Sequence, residues 1–182
     1  MANPRAQTLQ QRFGFVDKDL TSYGHDIIMT WLDDYCRQTF IPWAIDVLQK
    51  ECDEIAYHEE DLTKIPPKID TETEIKWEYV ISVNKYVVGF IDMAVIINVP
   101  YLRHTDAYPA ETWWQFHSRT FCFEVKTKIG SVGELLRQIN MYREYVKWQF
   151  YVVAPDSQYK KQLQSQNVGF IHYPGKTNLW MD

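Results

Sequence analysis

Three charged residues stand where buried strands ordinarily carry none. Asp92 lies inside GFIDMAV, a run otherwise apolar enough for a central strand, and a lone carboxylate there would cost several kcal/mol. Glu124 and Lys126 follow in 121-FCFEVK-126, two positions apart, so the two-residue pleat sends both to one face. If the strands carrying Asp92 and Glu124 are neighbours, the two carboxylates converge at one end of a sheet with Lys126 beside them. Carboxylates that close repel unless a divalent cation sits between them, and an all-oxygen set completed by water and phosphate suits Mg²⁺. Lys126 would then stabilise or orient the attacking water or the phosphate oxygens. Downstream, Gln138 and Tyr142 are spaced i, i+4 and share a helix face that can reach back to the same place. The same charges could also form a buried salt bridge, Asp92 or Glu124 with Lys126.

The elements that must position these groups can be read from pattern. HDIIMTWLDDYCRQ and PWAIDVLQKECDEI carry apolar residues at helical spacing: Ile28, Trp31, Leu32 and Tyr35 in one, Ile45, Leu48, Cys52 and Ile55 in the other. Pro42 suits the first turn of the second helix. A linker, 62-LTKIPPKIDTET-73, separates them from KWEYVISV and YVVGFIDMAVIINV, β-rich runs joined by Asn84-Lys85 that read as an antiparallel hairpin. TFCFEVK is a third strand. Ser131 and Glu134 form a capping box that opens a helix with Val132, Leu135, Leu136, Ile139 and Val146 on its sheet side. WQFYVVAP, SQYKKQLQSQ and VGFIHYP read as strand, short helix and strand. The expected fold class is α/β: a mixed central sheet flanked by helices.

At 182 residues, with 46% hydrophobic and 15% aromatic residues, the chain is expected to form a single globular domain with a substantial core. The net charge of -5 speaks against indiscriminate coating of nucleic acid. The charge is uneven: between Asp26 and Glu74 thirteen acids face four bases, whereas between Lys126 and Lys161 seven bases face three acids, which could make one basic face for a polyanion or equally be ordinary solvated helix faces. Cys36, Cys52 and Cys122 are odd in number and scattered, which argues against a disulfide framework or a four-thiolate metal site. The pattern supports neither secretion nor membrane spanning, so a cytoplasmic, soluble protein is expected.

GFID at 89–92, EVK at 124–126 and QINMY at 138–142 together resemble the PD-(D/E)XK nuclease superfamily, and the Gln-x-x-x-Tyr feature resembles its RecB-like and lambda-exonuclease-like branches. The resemblance implies a restriction-endonuclease-like core of order αβββαβ over about residues 75–155, with an N-terminal helical part over about 20–60, within one domain spanning 1–182. It implies a Mg²⁺-dependent deoxyribonuclease, with Mn²⁺ as substitute and DNA as partner. Asp92 and Glu124 would be the metal ligands, Lys126 the catalytic lysine, and Gln138 and Tyr142 supports of the site or the scissile strand. No further cofactor is implied.

The family often adds an acid or histidine from a helix before the sheet, and His25, Asp26, Glu51, Glu54 and His58 are on offer. His25 or Asp26 is preferred, because HDIIMTWL is otherwise a clean amphipathic helix, although the pair could simply cap it. Glu78 is another candidate. A two-residue Asn84-Lys85 turn puts it opposite Ile91, away from Asp92; a three-residue loop would reverse that. The aromatic segment 100-PYLRHTDAYPAETWWQFHSR-119 is expected to interrupt the second and third strands as a packed loop, a dimer contact or a base-stacking element. His104 and His117 are read as non-catalytic. Exonuclease and small homing- or restriction-type endonuclease, the latter acting as a homodimer or larger oligomer, both remain open. So does a non-catalytic member of the fold that binds nucleic acid or protein.

Overall fold

The computed structural model describes residues 23–55, 67–104 and 112–175. Helix α1 (Tyr23–Tyr35) runs through a π-helical segment (Cys36–Phe40) into helix α2 (Ile41–Ile55). Strands β1 (Glu72–Val83), β2 (Tyr86–His104) and β3 (Thr112–Val125) follow, then helix α3 (Val132–Arg143), β4 (Gln149–Ala154), a short helix α4 (Lys160–Ser165) and β5 (Gly169–His172). This is the element order expected from pattern, with α1 and α2 joined into one helical run. The join has a physical reason. Pro42 lacks an N–H and its ring crowds the carbonyl four residues back; the widened turn, in which Ile41 N–H donates to Cys36 O, accommodates it.

The five strands form one sheet in the order β1-β2-β3-β4-β5. Asn84 and Lys85 both have positive φ, 50° and 73°, as a two-residue hairpin turn requires, so β1 and β2 are antiparallel. β3 and β4 are parallel, with Glu124 opposite Val152 and Val125 opposite Val153, and β4 and β5 are parallel as well. The sheet is therefore mixed, flanked by helices.

The chain divides into two compact units, and the boundary falls near the end of α1 and within β1, β2 and β3. The first contains the described residues up to Asp33, Lys76–Ala94 and those from Phe121 onward; the second contains Asp34–Ile75 and Val95–Thr120. In the first, Leu135, Ile139 and Tyr142 of α3 pack with Ile81, Ile91, Cys122, Phe150 and Val152 of the sheet. Ser131 caps α3 by accepting the Glu134 N–H at 3.3 Å, as its position predicts. The helix stops at Arg143, short of Val146, which nevertheless packs against the same core. Arg143 ties this end down by donating to the carbonyls of Gln166, at 2.8 Å, and Asn167.

In the second unit, Cys36, Phe40, Ala44, Leu48 and Cys52 are buried along the helical run, and Val95, Ile97, Val99 and Leu102 along β2. The expected loop over residues 100–119 is corrected here. β2 continues to His104 and β3 already begins at Thr112, so Tyr101, Trp113, Trp114 and Phe116 are strand residues; Tyr108 and the other residues of 105–111 lie outside the described residues. Glu51 on α2 accepts from Arg119 at 3.1 and 2.7 Å and meets His117 Nε2 at 3.0 Å. The His117 and Arg119 pair holds the Glu51 carboxyl below its ordinary range and accounts for these three residues without chemistry. His58 also falls outside the described residues. All three cysteines are free and buried. Among the described residues no helix is long and apolar enough to cross a membrane.

Candidate active site

Everything that positions the site belongs to the first unit. β2 and β3 are neighbours, and both carboxylates are buried, Asp92 at 4% and Glu124 at 3% exposure. Their link is the residue between Glu124 and Lys126: Val125 N–H donates to Asp92 Oδ2 at 2.7 Å. That short, charge-assisted bond fixes the Asp92 carboxylate against β3. β3 ends at Val125, yet Lys126 N–H still donates to Val153 O at 2.9 Å, so the backbone beneath the lysine is held by the parallel neighbour.

Lys126 Nζ lies 3.1 Å from Glu124 Oε1. The same oxygen accepts from Gln138 Nε2 at 3.1 Å, while Oε2 is buried and takes no hydrogen bond. Gln138 Nε2 also donates to the Tyr142 hydroxyl at 3.0 Å, and that hydroxyl donates to Phe90 O at 3.1 Å. A continuous relay thus runs from Glu124 through Gln138 and Tyr142 to the β2 backbone two residues before Asp92. Five of the residues proposed from spacing are in this way brought together.

His25 joins them. It is 5% exposed on α1, with Nε2 at 3.5 Å from Asp92 Oδ1, close enough for charge pairing but without hydrogen-bond geometry. Burial pushes its pKa down, and the Asp92 carboxylate, helped by Asp26, pushes it up more strongly against the Lys126 charge; the net shift is upward. Asp26 itself is half-buried, and its carbonyl accepts from the Thr30 hydroxyl at 2.9 Å; it acts on the site through its field on His25. Glu78, half-buried on β1, has φ 49°. The turn is of the two-residue kind that points Glu78 away from Asp92, but a left-handed, non-glycine residue interrupts the strand's alternation, so the simple register count does not apply at that residue.

Gly89, the first residue of GFID, has a role that its neighbours in sequence do not disclose. A Cβ there would lie 2.8 Å from both Cζ and Oη of Tyr142 and closer still to Cε1. The absent side chain is the space the tyrosine ring occupies, and the only signal for it was the glycine itself inside a strand.

Burial and the Glu124 charge push the Tyr142 phenol up to about 12. Because the folded pKa lies above the unfolded value of about 10, the associated stability is fully present below pH 10 and is lost as pH rises towards 12. Absorbance titration should show one phenol silent until the protein unfolds. Tyr142→Phe, which keeps the ring and removes the hydroxyl, should remove that transition and cost about 1 kcal/mol in urea unfolding.

Among the described residues no three His, Cys, Asp or Glu side chains are grouped as metal ligands. Two carboxylates on adjacent strands nevertheless fit Mg²⁺, which takes one or two protein carboxylates and fills its remaining positions with water and phosphate oxygens; the buried Glu124 Oε2 is an oxygen of the right kind. The donor set does not fit structural zinc. Comparisons of the chain with protein-family models, curated proteins and solved structures find no match.

Proposed function

We propose that the protein is a metal-dependent DNA nuclease of restriction-endonuclease-like fold, hydrolysing phosphodiester bonds. One observation carries this reading: the Asp92 carboxylate accepts from the N–H of Val125, the residue between Glu124 and Lys126, whose own side chains pair at 3.1 Å, which supports two carboxylates and an ammonium acting as one site. The element order α, β, β, β, α, β supports the fold assignment. Asp92 and Glu124 would hold Mg²⁺ or Mn²⁺, which when bound supplies charge neutralisation at phosphate and an activated water. Lys126 presents an ammonium to phosphate oxygens. Gln138 keeps Glu124 Oε1 oriented, Tyr142 anchors Gln138 to Phe90 O, and His25 balances the Asp92 charge.

A second reading follows from the 3.1 Å contact between Lys126 and Glu124. A buried, self-neutralising ion pair also serves a non-catalytic binding member of the same fold. Incubating purified protein with Mg²⁺ or Mn²⁺ and both linear and covalently closed circular DNA decides between them. Loss of linear DNA alone identifies an exonuclease. Nicking or linearisation of circles identifies an endonuclease, for which two copies would be needed to cut both strands. Intact DNA of every form over a metal and pH series overturns the nuclease reading in favour of the binding one.

A further inference from the structure

A cleft of about 360 Å³ opens beside the site, lined by Lys126 and Gln138 together with Lys128, Gly130, Ser131 and Glu134. We propose that it seats the phosphate of the nucleotide next to the bond that is cut, with Lys128 as its charge partner. This rests on the nuclease reading, since Lys126 and Gln138 belong both to the cleft and to the site.

The size is at the lower end of small-ligand pockets, about 300–1,000 Å³, enough for one nucleotide unit. The charges divide the work. Lys126 Nζ is engaged with Glu124 at 3.1 Å. Lys128 is exposed and makes no ion pair among the described residues, so its ammonium can meet an incoming anion without first breaking a contact. Ser131 Oγ accepts the Glu134 N–H and keeps its own proton to donate. Glu134, the one acid of the lining, is exposed and turned to Arg137 at 3.8 Å, which offsets its charge. Gly130, two residues beyond Lys128 in the same lining, has open space about it: a Cβ there would meet nothing within 4 Å.

The open space at Gly130 supplies a test that does not depend on removing charge. Binding of a short fluorescent single-stranded DNA is measured by anisotropy in EDTA, where no metal-dependent cutting occurs, over a salt series. Lys128→Ala should weaken binding several-fold at low salt and lower the slope of log K against log salt by about 0.7, the loss of one phosphate contact. Gly130→Leu, which fills open space without strain, should weaken binding similarly while leaving the unfolding midpoint unchanged. Lys160→Ala, on the exposed helix α4, is the comparison and should bind as wild type. An unchanged slope in Lys128→Ala, or an equal loss in Lys160→Ala, overturns the phosphate seat. If wild type binds but does not cut in Mg²⁺, the nuclease reading falls and the Lys128 and Gly130 variants still decide the seat. Absence of binding by wild type in EDTA overturns the phosphate seat and leaves the nuclease reading to the cleavage assay with Mg²⁺.

Discussion

Replacing Lys126 by methionine is expected to lower DNA cleavage by at least about 10²-fold, the usual cost of removing one charge-stabilising donor from a reacting oxyanion. Methionine keeps most of the aliphatic stem and removes only the ammonium, so the packing of a side chain that is 13% exposed is largely preserved. Asp92→Asn should have an effect of the same size or larger. The asparagine oxygen can still accept the Val125 N–H now held at 2.7 Å, whereas the negative charge that faces His25 and would face a metal is gone. Circular dichroism and thermal unfolding establish that each variant is folded; cleavage is then compared at saturating Mg²⁺. Wild-type rates in a folded Lys126→Met protein would falsify the assignment. Asp92→Asn distinguishes a metal ligand from a structural acceptor, because a purely structural role survives the substitution.

Gly89→Ala is expected to be strongly destabilising, although it adds a single methyl group. The new Cβ would press on the Tyr142 ring from 2.8 Å or less, and the ring has nowhere simple to go. It is 4% exposed, stacked on Phe150 at a centroid distance of 6.3 Å, and bonded through its hydroxyl to Phe90 O. Overpacking of a filled core costs about 1–3 kcal/mol, and displacing the phenol from Phe90 adds about 1 kcal/mol. Urea unfolding measures the total. The cause is separable: in a Tyr142→Ala background the methyl group meets empty space, and Gly89→Ala should become nearly neutral, or slightly favourable because glycine is a poor strand residue. Equal costs in the two backgrounds would show that the tyrosine is not what the glycine serves. Cleavage should fall in Gly89→Ala as well, since moving Tyr142 releases Gln138 from one of its two partners and loosens Glu124.

The portion of this that the chain displays openly is the portion governed by local rules. Glu124 and Lys126 share a face because strands pleat by two; Ser131 caps α3 because a serine before a helical pattern has that use; Asn84-Lys85 turns between two β-rich runs, with Asn84 a residue that takes positive φ readily. What stayed hidden depends on partners distant in sequence. Nothing near Gly89 announces Tyr142, 53 positions later in the numbering. His25 and Asp26 were equivalent candidates on a helix, and only the approach of α1 to β2 selects His25 for Asp92. The extension of β3 back to Thr112 was obscured because aromatic and polar residues mix there without clean alternation, while the strand was expected to begin where the apolar run does. The π segment was likewise invisible, as Pro42 reads equally well as a helix start and as a defect accommodated within a longer one.

The three buried thiols carry a practical consequence. Cys122 lies in the core, where burial and the Glu124 charge push its thiol far above the ordinary range, and Cys36 and Cys52 are also 0% exposed. Protonated and shielded sulfur is a poor nucleophile, so the folded protein is a nearly blank background for maleimide chemistry. A cysteine introduced at Lys128 or Gly130 can therefore carry a single fluorophore at the mouth of the cleft with the native thiols left in place, and the same label placed on α4 reports from a region outside it.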